Sequence, residues 1–137
     1  MTIKTSYEVI KSGLLFADET AFKHKMMKFM ENKKDSIKTV LAIENTVEPG
    51  MPDLIVVDNK NRSSFIEVKY ARKGVITFKR TQIPWYRRHQ NLTILILAYN
   101  DVTRNIHLID ANCIIRLSDG VSFRLADETE YEIKESL

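Results

Sequence analysis

The sequence is poor in the residues that staple or interrupt a chain. It has one cysteine, Cys113, in 137 residues, which excludes an internal disulfide and a cysteine-built zinc site. A reducing, cytosolic setting is the expectation that follows. With only 4 Gly and 3 Pro, the chain lacks the composition of a disordered or low-complexity segment. It also lacks any apolar run near the roughly 20 residues that cross a bilayer. The longest, residues 92–99, is the length of a strand. Residues 1–11 carry Lys4, Glu8 and Lys11 and have no apolar centre of signal-peptide length. No Gly-rich phosphate loop is present, so no nucleotide cofactor is implied.

What is present suits one soluble globular domain spanning residues 1–137. Hydrophobic residues make up 44% and charged residues 28%, both ordinary values. The net charge is only +3, but it is unevenly spread. Residues 1–100 hold 17 Lys/Arg against 10 Asp/Glu, whereas residues 101–137 hold 4 against 8. Between Lys69 and Gln90 lie Lys69, Arg72, Lys73, Lys79, Arg80, Arg87 and Arg88 with no acid among them. A solvated helix face ordinarily mixes signs. A run of one sign therefore points to a polyanion partner, or to a surface whose balancing acids lie nearby in space.

The hydrophobic pattern predicts an α/β domain with a mixed central sheet flanked by helices and a small β-rich tail. The first 17 residues fit a short helix or an irregular lead-in. Asp18 is a candidate N-cap, and Phe22, Met26, Phe29 and Met30 recur at helical spacing behind it. Strands are expected over 37–45, 53–58 and 63–70, the last two as a hairpin. Thr81 is placed to cap a helix over 82–90, with Pro84 in its first turn, where a missing N–H costs nothing. Residues 92–98 read as a strand buried on both faces. Short strands are expected over 106–109, 113–117, 121–125 and 131–133. The core is placed at about 18–100, and 101–137 is treated as an extension.

The chemistry concentrates in Gly50-Met51-Pro52-Asp53 and in Phe65-Ile66-Glu67-Val68-Lys69. On a strand, Glu67 and Lys69 share a face while Ile66 and Val68 take the other. Asp53 opens the preceding strand, so a hairpin returns Glu67 to its side. Two carboxylates and an ammonium then meet at one point. The carboxylates repel unless a positive charge separates them, and oxygen donors of this kind suit Mg²⁺ or Mn²⁺. Such a metal polarises a phosphoryl oxygen and acidifies a bound water, which Lys69 is placed to orient. A bare Glu-x-Lys on a strand is ordinarily a surface ion pair worth about 1 kcal/mol at most. The turn, the hairpin spacing and the adjacent basic run together favour the metal site.

Pro52-Asp53 followed by Glu67-Val68-Lys69 resembles the signature of the PD-(D/E)xK nuclease superfamily. Gly50-Met51-Pro52-Asp53-Leu54-Ile55, with Thr81-Gln82 and Trp85 further on, is similar to its virus-type replication-repair (VRR-NUC) branch and to Holliday-junction resolvases. The resemblance runs from about residue 18 to residue 99. It implies a restriction-endonuclease-like core, Asp53 and Glu67 as metal ligands with the Val68 carbonyl, Lys69 as catalytic lysine, and Gln82 as an active-site residue. Such nucleases usually carry one more acid. Glu19 fits, sharing a helix face with Phe22 and Met26. Its other role is to complement the helix dipole, worth about 0.3–1 kcal/mol. Glu44 and Glu48 are its rivals.

The expectation is a Mg²⁺- or Mn²⁺-dependent DNA endonuclease, structure-selective for branched DNA and acting as a homodimer, with no membrane partner. Arg72, Lys73, Lys79, Arg80, Arg87 and Arg88 are the expected phosphate contacts. Trp85 and Tyr86 read as core or interface aromatics. A nickase or restriction-like enzyme on linear DNA, and a non-catalytic nucleic-acid-binding module, are the alternatives.

Overall fold

The computed structural model describes residues 2–43, 48–115, 122–125 and 130–134. The chain begins with β1 (Thr2–Lys11), then α1 (Glu19–Glu31), β2 (Ile37–Ala42), β3 (Leu54–Asp58) and β4 (Ser63–Ala71). It continues through β5 (Val75–Thr77), α2 (Gln82–Arg88), β6 (Ile94–Asn100) and β7 (Asn105–Asp110). A one-turn 3₁₀ helix (Ala111–Cys113), β8 (Ser122–Arg124) and β9 (Glu130–Lys134) complete it. Seven strands form one sheet in the order β2-β3-β4-β6-β7-β1-β9, and β5 pairs with β8 in a separate ribbon. Among the described residues, only β4 and β6 run parallel, and every other neighbouring pair is antiparallel. This is the expected α/β architecture with a mixed sheet. Among the described residues, no helix is long and apolar enough to cross a membrane.

The parallel pair sits mid-sheet, where both strands are largely buried: β6 is apolar on both faces, and β4 is apolar on the face of Ile66 and Val68 while its other face also carries Glu67 and Lys69. Along β6, Ile94, Ile96 and Ala98 enter one core with Phe78, Ile83, Trp85, Tyr86 and Ile109. Leu97 and Tyr99 enter the other with Phe16, Phe22, Met26, Leu54, Ile66 and Val68. The first core underlies α2 and the second underlies α1. Asp18 caps α1 as expected, its carboxylate accepting the Ala21 N–H at 2.8 Å. Two tyrosines fasten the segment ahead of that helix. Tyr99 Oη donates to the Leu14 carbonyl at 2.5 Å, and Tyr70 Oη donates to the Phe16 carbonyl at 2.7 Å.

Four local expectations are corrected. Residues 2–11 are neither helix nor irregular: they form β1, inserted between β7 and β9, and only residues 12–17 are the irregular lead-in. The β-branched residues of β1 suit a strand, but both partners lie at the far end of the chain. Thr81 occupies the N-cap position of α2 without a side-chain cap bond, its backbone being already helical at φ −87° and ψ −17°. The strand expected over 113–117 is instead a 3₁₀ turn through Cys113, stabilised by Asp110 accepting the Asn112 N–H at 2.9 Å; residues 116 and 117 lie outside the described set. The sheet also extends beyond residues 18–100 at both ends, with β7 an interior strand rather than part of an appendage.

The face α1 presents to the sheet has a measurable consequence. Phe22 is fully buried and packs edge-on against Phe16, whereas Phe29 remains 54% exposed. Phe22→Ala is expected to destabilise the fold by about 3–5 kcal/mol. Phe29→Ala should cost less than about 1 kcal/mol, since it removes little buried surface. Urea unfolding monitored by circular dichroism checks this, and similar losses in the two variants would refute the packing described.

Candidate active site

The β3–β4 register pairs Leu54 with Ile66, which carries Asp53, one residue earlier, to the level of Glu67. Asp53 is held at both ends. Its carbonyl accepts the Ile43 N–H at 2.8 Å, and its Oδ2 accepts the Val68 N–H at 2.9 Å. Glu67 and Lys69 project from the opposite face of β4 to Ile66 and Val68, as strand alternation requires. They enter the space beneath the start of α2. Both are buried, at 4% and 9% exposure.

Gln82, the first residue of α2, lies between them. Its Nε2 donates to Glu67 Oε1 at 2.5 Å, and its Oε1 accepts from Lys69 Nζ at 2.7 Å. The same oxygen takes the Lys79 backbone N–H at 2.8 Å. Two donors at one end and a carboxyl oxygen at the other fix which way the amide points. The Lys69 ammonium also lies 5.0 Å from the centre of the Phe78 ring. With Glu19 from the first turn of α1, these groups line a cleft of about 310 Å³ that includes Asp53, Glu67, Val68, Lys69, Lys79 and Gln82.

The electrostatics follow from this crowding. Burial first, then the hydrogen bond to Asp53 and the charge of that neighbour, pushes the Glu67 carboxyl up to about 9. Burial alone would also raise Asp53. Hydrogen bonds from Glu67 and the Val68 N–H, together with the charges of Lys23 and Lys69, instead hold it below the usual carboxylate range. Glu19 is raised, by burial first and by Asp53 second. Lys69 is lowered by burial, with the neighbouring carboxylates opposing that shift. The two carboxyls are thus driven apart, Asp53 giving up its proton more readily than an ordinary carboxyl and Glu67 less readily.

This donor set suits a hard divalent cation. The side-chain ligands on offer are all oxygens, and the repulsion that raises Glu67 is what a cation between the acids would relieve. Among the described residues, no three His, Cys, Asp or Glu are grouped closely enough to hold a metal as they stand. The close pair is Asp53 and Glu67, and Glu19 lines the same cleft from α1.

The other expected residues fall into three groups. Arg72, Lys73, Lys79, Arg80 and Arg88 are exposed. Arg87 is half-buried and donates from Nε to the Ile115 carbonyl at 2.5 Å, which makes it part of the packing as well as of the basic run. Of Glu19's rivals, Glu48 bonds Trp85 instead of lining the cleft, and Glu44 lies outside the described residues. Lys23 is an addition, its Nζ 3.7 Å from Asp53 Oδ1. Its position four residues after Glu19 on one helix is the signal that could have found it. No protein-family model matches the chain, and no curated protein matches it.

The raised Glu67 carboxyl makes stability depend on pH. Glu67 holds its proton more tightly in the folded chain than at its ordinary value of 4.5. Its contribution is therefore complete below 4.5 and is lost as pH rises toward 9. In EDTA, the melting temperature should fall across that window. Glu67→Gln, a neutral isostere of the protonated acid, should flatten the fall. Parallel slopes in the two proteins would refute the assignment. The lowered Lys69 acts oppositely, returning stability only as pH approaches 10.5.

Proposed function

We propose that the protein is a Mg²⁺- or Mn²⁺-dependent DNA endonuclease that hydrolyses phosphodiester bonds and prefers branched DNA. The observation that carries this reading is the Lys69 ammonium, held by Gln82 beside the paired carboxylates of Asp53 and Glu67 in an open cleft. A pure binding module has no use for acids placed where phosphates would lie. A bound metal would be held by Asp53, Glu67 and the Val68 carbonyl, with Glu19 directly or through water. It would supply Lewis-acid polarisation of the phosphoryl oxygen and a more acidic water.

The remaining steps belong to the chain's own groups. Lys69 orients the attacking water, and Gln82 aims the ammonium so that the water approaches in line with the departing oxygen. Lys23 and Lys79 offset the charge of the phosphate between them. The exposed Arg72, Lys73, Arg80 and Arg88 hold neighbouring phosphates. These contacts position the duplex without reading its sequence. Resolving a four-way junction needs two symmetric cuts, and with one site per chain that calls for a two-fold homodimer. Among the described residues β9 is the last strand of the sheet, and its outer edge is where such an association would add.

Cleavage of supercoiled plasmid, four-way junction and linear duplex, each with Mg²⁺ or EDTA, tests the reading. Cleavage in Mg²⁺ alone, faster on the junction, is the expected result. Equal cleavage of junction and linear DNA would turn the assignment to a nickase or restriction-like enzyme, and binding without cleavage would leave the non-catalytic module. Lys69→Ala and Glu67→Ala should each lose at least about a hundredfold in cleavage rate while retaining DNA affinity in gel shifts.

Binding should weaken with salt at a log–log slope of about −0.9 per phosphate neutralised. Replacing Arg80 and Arg88 with Ala should make that slope shallower by about 0.9 for each phosphate no longer neutralised. Arg87→Ala, which breaks the bond to Ile115, should lower the melting temperature more than it changes the slope. The opposite pattern would exchange the roles of Arg87 and Arg88.

A further inference from the structure

Three residues that do not line the cleft meet beside it. The Trp85 indole Nε1–H donates to Glu48 Oε2 at 2.7 Å, and the same oxygen lies 3.4 Å from His89 Nε2. The His89 ring stacks on Trp85 with centroids 4.0 Å apart and planes inclined by 34°. Trp85 is itself fixed. It is 2% exposed and packs against Phe65 and Tyr86. A buried indole N–H needs an acceptor, and almost any carbonyl would serve. The origin of this acceptor is therefore the informative point.

Glu48 begins the turn that ends at Asp53. Between them lie Pro49, Gly50, Met51 and Pro52. Two prolines fix φ at their positions, so the segment transmits displacement rather than absorbing it. Gly50 adopts φ +93°, and a Cβ there would overlap the Thr81 carbonyl. The turn is thus pressed against the N-terminus of α2 at Gly50 and tied to the body of α2 at Glu48. That helix also supplies Gln82.

We infer that Glu48 is a positioning residue. Its bond to Trp85, with His89 Nε2 close to the same oxygen, locks the turn carrying Asp53 to the helix carrying Gln82, so that Asp53 and Glu67 keep their mutual placement. The inference rests on reading the cleft as an active site. Gln82 fixes Glu67 and Lys69 from α2, whereas Asp53 arrives on the turn and meets the sheet through the Val68 and Ile43 N–H groups. Loosening the turn loosens Asp53 first, and the Val68 amide registers it.

The test uses Glu48→Ala and Glu48→Gln in the full chain, with three measurements: hydrogen exchange at the Val68 amide, Mn²⁺ affinity by calorimetry, and kcat and KM for DNA cleavage. In Glu48→Ala, exchange at Val68 should quicken about tenfold relative to the amides of Ile96 and Leu97 in β6. Mn²⁺ affinity and kcat should fall by a similar factor while KM for DNA stays unchanged. Glu48→Gln, whose amide oxygen still accepts the indole N–H, should recover most of each loss. If Glu48→Ala does not fold, His89→Ala removes one of the two partners of Glu48 and should raise Val68 exchange by a smaller factor. Unchanged Val68 exchange relative to β6 would overturn the inference and leave Glu48 as a cap for the indole alone. If the wild-type chain neither binds Mn²⁺ nor cleaves DNA, the active-site reading fails, and Val68 exchange still decides whether Glu48 positions Asp53.

Discussion

The site depends on one primary amide. Glu67 and Lys69 stand two positions apart on one face of a buried strand, and without an intermediary they would close into an ion pair. Such a pair satisfies itself and offers nothing to a ligand. Gln82 prevents this by giving a donor to the acid and an acceptor to the base. The carboxyl and the ammonium are each satisfied through a neutral group and remain directed into the cleft. A primary amide carries its donor and its acceptor on two separate atoms, so it can serve the acid and the base at once. Shortening it to Asn would break one bond or the other.

The placement of Gln82 is in turn a property of the sheet. Because β4 and β6 are parallel, the chain must cross over between them, and α2 lies on that crossover. The helix lands on the face of β4 that carries Glu67 and Lys69, and its aromatic residues Trp85 and Tyr86 anchor it in the core beneath. The polar ends of β4 residues and the start of α2 are therefore brought together by the same apolar packing that makes the crossover stable. On the other face, α1 brings Glu19 and Lys23 to the cleft by the packing of Phe22 and Met26.

Much of this arrangement was legible in the sequence because it is local. The Asp53–Glu67 pairing follows from one hairpin, the shared face of Glu67 and Lys69 from strand alternation, and the Asp18 cap from its position before an apolar stripe. Glu19 and Gln82 were reached by combining helix faces with a family likeness, and both line the cleft. What escaped was non-local. Nothing in residues 2–11 announces that their partners lie at 105–110 and 130–134, so a strand resembled an unstructured lead-in. Val75–Thr77 is too short to recognise without its partner Ser122–Arg124. Thr81 has the right position for a cap, but its backbone is already helical and Pro84, at the third helical position, has no N–H for it to accept.

The position of β1 bears on how the chain acquires its shape. In chain order β1 precedes both of the strands it lies between, β7 and β9, by most of the sheet. During synthesis β1 is made well before either of these partners, while β2, β3 and β4 can already form their meander from adjacent segments. Closing the sheet therefore waits on contacts of very high sequence separation, which slow folding because loop entropy must be lost before they form. Until then β1 is an exposed, β-branched segment with open edges, open to pairing with other nascent chains. Its lysines and glutamate at positions 4, 8 and 11 are the kind of interruptions that keep such a waiting strand from aggregating.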